Sequence, residues 1–219
     1  MAKEGGDQLN QLLNVIRILK KTYPKAQYYL HFRTPLELVV AAILSAQVRD
    51  EIVNAATPAL FEEYKTAKDY ADATLDELIR YIGKISFAGN KGRNIIEACK
   101  VIYEKYKGEV PKTLEALTEL PGIGRKTALV ILANAYDIVR GIVVDTHVIR
   151  VSYRLGWTKN ANPEKIGADL EELIPENYWK EIPWLLKEHG RAICKAPTPI
   201  CSQCSAEELC PKQGVTKSK

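Results

Sequence analysis

No apolar run in this sequence approaches the ~18 residues that a membrane-spanning helix needs, so a spanning segment is not expected. No stretch alternates apolar and polar residues for long enough to argue a sheet. There is neither a low-complexity linker nor an internal repeat. A strong excess of one charge is also missing. Lys+Arg 31 against Asp+Glu 27 leave a net +4, which is compatible with a polyanionic partner without arguing for one. The N-terminal MAKEGGDQLN lacks the apolar core of a secretory signal, so an intracellular location (cytoplasm or nucleoid) and reduced thiols are expected. What is present is 219 residues with 46% hydrophobic content, ordinary for a globular protein and enough for one large domain or two small ones.

Four of the five cysteines fall at Cys194, Cys201, Cys204 and Cys210, spaced C-x6-C-x2-C-x5-C. In a reducing compartment, grouped cysteines read as metal ligands rather than disulfides. The segment is too short for a core of its own, and a bound centre would staple it. Structural zinc sites usually pair two short C-x2–4-C knuckles, and only Cys201 and Cys204 are so paired. The wider spacing favours an iron–sulfur cluster held by four thiolates, with zinc as the alternative. Cys99 stands apart in an apolar helical stretch and reads as a core residue.

Helix signals dominate. A run from Asp7 carries Leu9, Leu12, Leu13, Ile16 and Leu19 at helical spacing and ends near Tyr23-Pro24. Thr34-Pro35 is a cap followed by proline in the first turn, ahead of LELVVAAILSAQ, which is apolar nearly all round and reads as a buried central helix. Thr74 and Glu77 form a capping box. Residues 90–107 keep the helical period and stop at Gly108, Thr113 caps LEALTEL, and Asn162-Pro163 starts a further helix. Ile142-Val143-Val144 is the one strand-like patch, either a short strand or a buried connector.

Residues 114–137 read LEALTELPGIGRKTALVILANAYD, a helix ending at Leu120, a tight turn over Pro121–Gly124, and a second helix from about Arg125. The glycines free the backbone, and N–H groups at the start of the second helix can face a phosphate. A Gly-rich turn alone is equally an ordinary packing element. Ile123 between Gly122 and Gly124, with the basic pair Arg125-Lys126 following, shifts the reading toward phosphate binding.

LPGIGRKTA resembles the helix–hairpin–helix signature of the endonuclease III superfamily of DNA glycosylases. Val144-Asp145-Thr146-His147 resembles its aspartate motif, the four cysteines its iron–sulfur loop, and Leu44-Ser45-Ala46-Gln47 its LSAQ segment. The motifs occur in the family's order across residues 8–212. The resemblance implies a 4Fe-4S cluster on Cys194, Cys201, Cys204 and Cys210. It also implies a double-stranded DNA partner carrying a damaged base or abasic site, with Gly122, Ile123, Gly124 and Arg125 on the phosphates. Gln47 would fill the gap left by a flipped nucleotide, and Phe87, in Ile85–Lys91, would be a second, apolar wedge.

A flipped nucleotide exposes C1′ to a nucleophile. By resemblance Lys126 is that nucleophile, forming an imine and cutting the strand by β-elimination, and Asp145 is its proton acceptor or electrostatic partner. The positive end of the helix dipole favours an uncharged amine at Lys126, whereas a close Asp145 favours the charged one. Asp145 also stands where an N-cap would. Relatives that act only as glycosylases on mismatched thymine or adenine lack this lysine. The adenine branch carries an acid where this chain has Val40–Ile43, and the 8-oxoguanine branch usually lacks the cysteine loop. The resemblance therefore implies a bifunctional glycosylase/lyase for oxidised pyrimidines. The alternatives are a T·G- or U·G-specific mismatch glycosylase and a non-catalytic DNA-binding or redox module. Arg49, where the family commonly has a small hydroxyl residue, and Ala88, where many relatives carry Tyr, depart from the pattern beside the expected lesion. Only Lys195 is charged between Cys194 and Cys201, where relatives often carry several basic residues.

The expected architecture is all-α with two helical domains. Residues 28–138 would form a six-helix domain with the hairpin, and residues 1–27 and 139–219 the cluster domain. A DNA-binding cleft between them would bring Lys126 and Asp145 face to face. A monomer is expected.

Overall fold

A computed structural model describes residues 2–219, with side chains from Leu9 onward. Eleven α-helices and three short 3-10 turns account for its regular structure, and no strand occurs among the described residues. Ile142-Val143-Val144 forms no strand and is a connector, with Ile142 buried and Val143 and Val144 half-buried, leading into the helix that Asp145 opens. The chain divides into two compact units, Tyr29–Arg140 and the residues up to Tyr28 joined by Gly141–Lys219.

The Tyr29–Arg140 unit contains α2 (Pro35–Ser45), α3 (Asp50–Glu63), α4 (Ala67–Asp72), α5 (Leu75–Ile82), α6 (Ala88–Tyr106), α7 (Leu114–Thr118) and α8 (Arg125–Ala135). The local sequence explains where they start. Thr34 Oγ1 accepts from the N–H of Glu37, Thr66 and Thr74 each build a capping box, and Thr113 accepts from the N–H of Ala116. Every residue of α2 from Leu36 to Leu44 is buried, and the helix packs against α3, α6 and α8. A helix apolar on nearly every side is stable only inside a core, so α2 becomes the axis on which the unit assembles. Cys99 is fully buried on α6, as its apolar surroundings imply. Helix α6 starts at Ala88, two residues ahead of the expected Asn90, because Phe87 adopts a left-handed conformation and accepts from the N–H of Lys91.

The other unit contains α1 (Ala2–Thr22), α9 (Thr146–Arg154), α10 (Pro163–Leu173) and α11 (Ile182–Ala192). Helix α1 runs upstream of Asp7, whose side chain lies outside the described residues. Leu12, Val15, Ile16 and Leu19 of α1 meet Val148 and Val151 of α9, Ile166 and Leu170 of α10, and Leu186 of α11 in one core. Asn162 caps α10 through its Oδ1, with Pro163 in the first turn. After α11 the chain holds only 3-10 turns at Cys201–Gln203 and Glu207–Leu209. That segment adds two buried side chains, Cys194 and Ala206, to the core. No described helix is long and apolar enough to cross a membrane.

Candidate nucleic-acid interface and cysteine centre

In the Tyr29–Arg140 unit, α7 and α8 form the hairpin around Pro121–Gly124. Gly122 has φ +82, and a Cβ there would stand 3.0 Å from Asn94 Nδ2 and 3.1 Å from Asn94 Cβ, so both its conformation and its neighbour call for glycine. Gly124 differs: nothing lies within 4 Å of the place a Cβ would take. Its small size leaves the backbone open to an approaching partner. Ile123 is buried, and its N–H donates to Leu120 O at 3.0 Å, so it anchors the turn from within and offers neither side chain nor N–H to solvent. Gly124 occupies the cap position of α8 with no side-chain cap and no acidic residue in the first turn. The first N–H groups of a helix have no intrahelical acceptor. An uncapped start with a dipole at its positive end suits an anion, and the exposed Arg125 and Lys126 sit in that first turn.

Two further exposed tips lie in this unit. Gln47 follows the end of α2 with φ 56, and Phe87 precedes α6 with φ 61 and is 65% exposed. A large side chain with positive φ is held there against a cost of about 1–2 kcal/mol. Arg49 is exposed and Ala88 half-buried beside them.

In the second unit Asp145 caps α9. Its Oδ1 accepts from the N–H groups of His147 and Val148, both at 2.8 Å, so the cap does not consume Oδ2. His147 is half-buried, and burial pushes its ring below the ordinary imidazole range while Asp145 opposes that shift. Arg150, one turn on, reaches Gly190 O at 3.0 Å, His147 Nδ1 at 3.1 Å and Cys194 O at 3.0 Å. A Cβ at Gly190 would come within 2.8 Å of His147 Nδ1 and 2.9 Å of Arg150 Nη2, which explains glycine there.

Cys194, Cys201, Cys204 and Cys210 line one cavity, with Arg154 and His189 beside them. Among the described residues no three His, Cys, Asp or Glu groups converge on a single-ion site. The sulfurs have polar company. Arg154 Nη1 reaches Cys194 Sγ at 3.4 Å and Lys195 O at 2.8 Å, the Lys212 N–H donates to Cys210 Sγ at 3.4 Å, and His189 Nε2 lies 3.7 Å from Cys204 Sγ. Tyr23 fixes the other side of that ring, its hydroxyl 3.1 Å from His189 Nδ1. Burial pushes His189 down to about 4, so it is neutral near neutral pH. Burial is also the first cause that pushes Cys204 and Cys210 up, with the neighbouring thiols adding to it. Four thiolates around one cavity repel each other unless a positive centre lies between them, so the donor set fits a metal cluster.

Lys126 thus lies in one unit and Asp145 in the other, while the four cysteines come together at one cavity. Sequence reasoning missed Arg150, Arg154, His189 and Lys91.

Comparison with known proteins decides the family. The HhH-GPD superfamily of base excision DNA repair proteins matches residues 40–176. Endonuclease III of Synechocystis sp. is 47% identical over 90% of this chain and 90% of its own length. The chain belongs to the endonuclease III family of the HhH-GPD superfamily. Endonuclease III of Bacillus subtilis is 40% identical, again over 90% of each chain. Among solved structures, a trapped endonuclease III–DNA covalent intermediate superposes with a TM-score of 0.86 at 38% identity, covering 93% of this chain and 96% of that one. An endonuclease III chain is a DNA glycosylase/abasic-site lyase of base excision repair, so enzymatic activity follows from membership.

Proposed function

We propose that this chain removes oxidised or otherwise damaged pyrimidines from double-stranded DNA and cuts the strand at the abasic site through an imine on Lys126. The observation that carries the reading is the place of Lys126, exposed in the first turn of an uncapped helix directly after the open Gly124. Phosphates on that turn would set the sugar of a flipped nucleotide beside the amine.

Lys126 Nζ forms a bond to C1′ as the glycosidic C–N bond breaks, and the base leaves with the bonding pair and takes up a proton. Asp145, through the oxygen its cap leaves over, stabilises positive character at the sugar and accepts the proton lost by the amine. The ring oxygen is released as the imine forms. Loss of a C2′ proton then expels the 3′ phosphate, and water hydrolyses the imine to free the lysine. Gln47 and Phe87 are assigned to the space vacated in the stack and Arg125 to a phosphate, while Ile123 holds the turn from inside.

Cys194, Cys201, Cys204 and Cys210 are assigned to a 4Fe-4S cluster. Bound there it fixes a segment that has almost no core of its own, and no step above passes through it. Purified protein should carry iron and a broad visible absorbance; a colourless zinc protein would contradict the assignment.

The substrate class is tested by single-turnover excision from a thymine glycol duplex and a T·G duplex. Faster excision of thymine glycol with strand cleavage is expected. Preference for T·G without cleavage would favour a mismatch glycosylase and sink the assignment.

A further inference from the structure

Lys91 is buried, with 6% of its surface exposed, although it is one of the chain's 31 basic residues and has no acidic partner among the described residues. Its Nζ donates to Leu44 O at 2.9 Å and to Ala46 O at 2.7 Å. Those carbonyls end α2, where the helix leaves acceptors unfilled and the dipole favours a cation. Ala46 O belongs to the peptide that leads directly into Gln47. The backbone of Lys91 is engaged at the other tip, since its N–H donates to Phe87 O at 3.1 Å. One residue therefore holds the carbonyl before Gln47 with its side chain and the carbonyl of Phe87 with its main chain.

Both tips need such support. Gln47 and Phe87 have φ 56 and 61 and both project into solvent. Left-handed backbone at a residue other than glycine persists only where surrounding bonds over-determine it. An ordinary helix-capping role would be met by an exposed lysine. Burial of this amine against two carbonyls, with burial lowering its proton affinity, is a costlier arrangement than capping needs.

We propose that Lys91 is a positioning residue that couples the Gln47 and Phe87 turns, so that the two side chains enter a damaged duplex as one rigid pair. The proposal rests on the reading of those two tips as DNA-facing. It predicts that the tips act together only while the Lys91 bridge is intact.

The test uses the full-length, cluster-loaded protein and a duplex with a tetrahydrofuran abasic analogue opposite 2-aminopurine, whose fluorescence reports unstacking. Wild type should unstack the base and prefer this duplex over an intact one. Lys91→Met keeps the aliphatic stem and removes the donor. It should lose about tenfold or more of that preference, the size of one hydrogen bond from a charged donor, together with the fluorescence gain. Binding to intact duplex should stay within about twofold, since phosphate contacts carry it. Gln47→Ala and Phe87→Ala should be non-additive in the wild-type background and additive alongside Lys91→Met. A purely structural role would lower the melting temperature and leave that coupling in place. If Lys91→Met does not fold, Lys91→Leu, which also lacks a donor, carries the same measurements. Full selectivity and unchanged coupling in a folded Lys91 variant would overturn the proposal. A wild type that unstacks nothing would instead remove the DNA-facing reading beneath it.

Discussion

Arg150 donates from Nε to the carbonyl oxygen of Cys194 at 3.0 Å, joining the helix that Asp145 opens to the residue that opens the cysteine segment. The same guanidinium bonds Gly190 O and His147 Nδ1, so one side chain ties α9 to the end of α11 as well. Arg150→Met should keep the aliphatic packing and lose these bonds. Bonds from a charged group contribute about 1.5–3 kcal/mol each; Gly190 O would lose this side-chain donor, and Cys194 O would keep only the longer bond from Arg154 Nη1 at 3.3 Å. A lower melting temperature and faster loss of visible absorbance under chelation are expected. Unchanged absorbance decay would show that Arg150 does not hold the cysteine segment.

Capping and chemistry can be separated at Asp145. Asparagine caps about as well as aspartate, whereas alanine costs roughly 1 kcal/mol. Asp145→Asn should melt close to wild type and Asp145→Ala below it, while both lose strand cleavage to a similar extent. Thermal melts and single-turnover cleavage check this. Cleavage retained in the asparagine variant would mean that the residue serves only α9.

The two hairpin glycines should answer differently to a methyl group. Gly122→Ala puts a side chain at φ +82 against Asn94 and should cost about 1–2 kcal/mol of stability. Gly124→Ala meets open space, so its stability cost should be well below that and its main effect a loss of affinity for duplex DNA. Equal affinity losses in both variants, measured by fluorescence anisotropy, would contradict the division of roles.

Tyr70 is 1% exposed, stacks on Tyr64, and its hydroxyl has no hydrogen-bond partner among the described residues. Burying an unpaired hydroxyl costs about 1–3 kcal/mol, and phenylalanine keeps the ring. Tyr70→Phe should therefore melt at or above the wild-type temperature. A clear drop in a denaturation series would reveal an interaction at that hydroxyl.

Much of the fold was legible because the signals were local. Thr34-Pro35, the Thr74–Glu77 box, Thr113 and Asn162-Pro163 sit where the helices start, and the unbroken apolar run of α2 announced its burial. Helices α3, α4 and α11 were not read. The first has no side-chain cap and contains Pro58, and the second is a six-residue turn in a polar stretch. Ile123 read as part of a phosphate-binding turn, and its burial depends on packing that sequence spacing does not record. Lys91 was invisible for a similar reason. In NKGRN it reads as a solvated lysine, yet its acceptors lie 47 and 45 positions away. The grouping of four cysteines was plain in the sequence, whereas Arg154 and His189, which reach their sulfurs, appear beside them only in three dimensions.

Lys126 is the proposed nucleophile, and borohydride trapping on a thymine glycol duplex tests that role most directly. Borohydride reduces an imine to a stable amine, so wild type should give a protein–DNA adduct that survives denaturing electrophoresis. Lys126→Gln should give no adduct while retaining its melting temperature and visible absorbance. An undiminished adduct in that variant would place the imine on another residue and contradict the account.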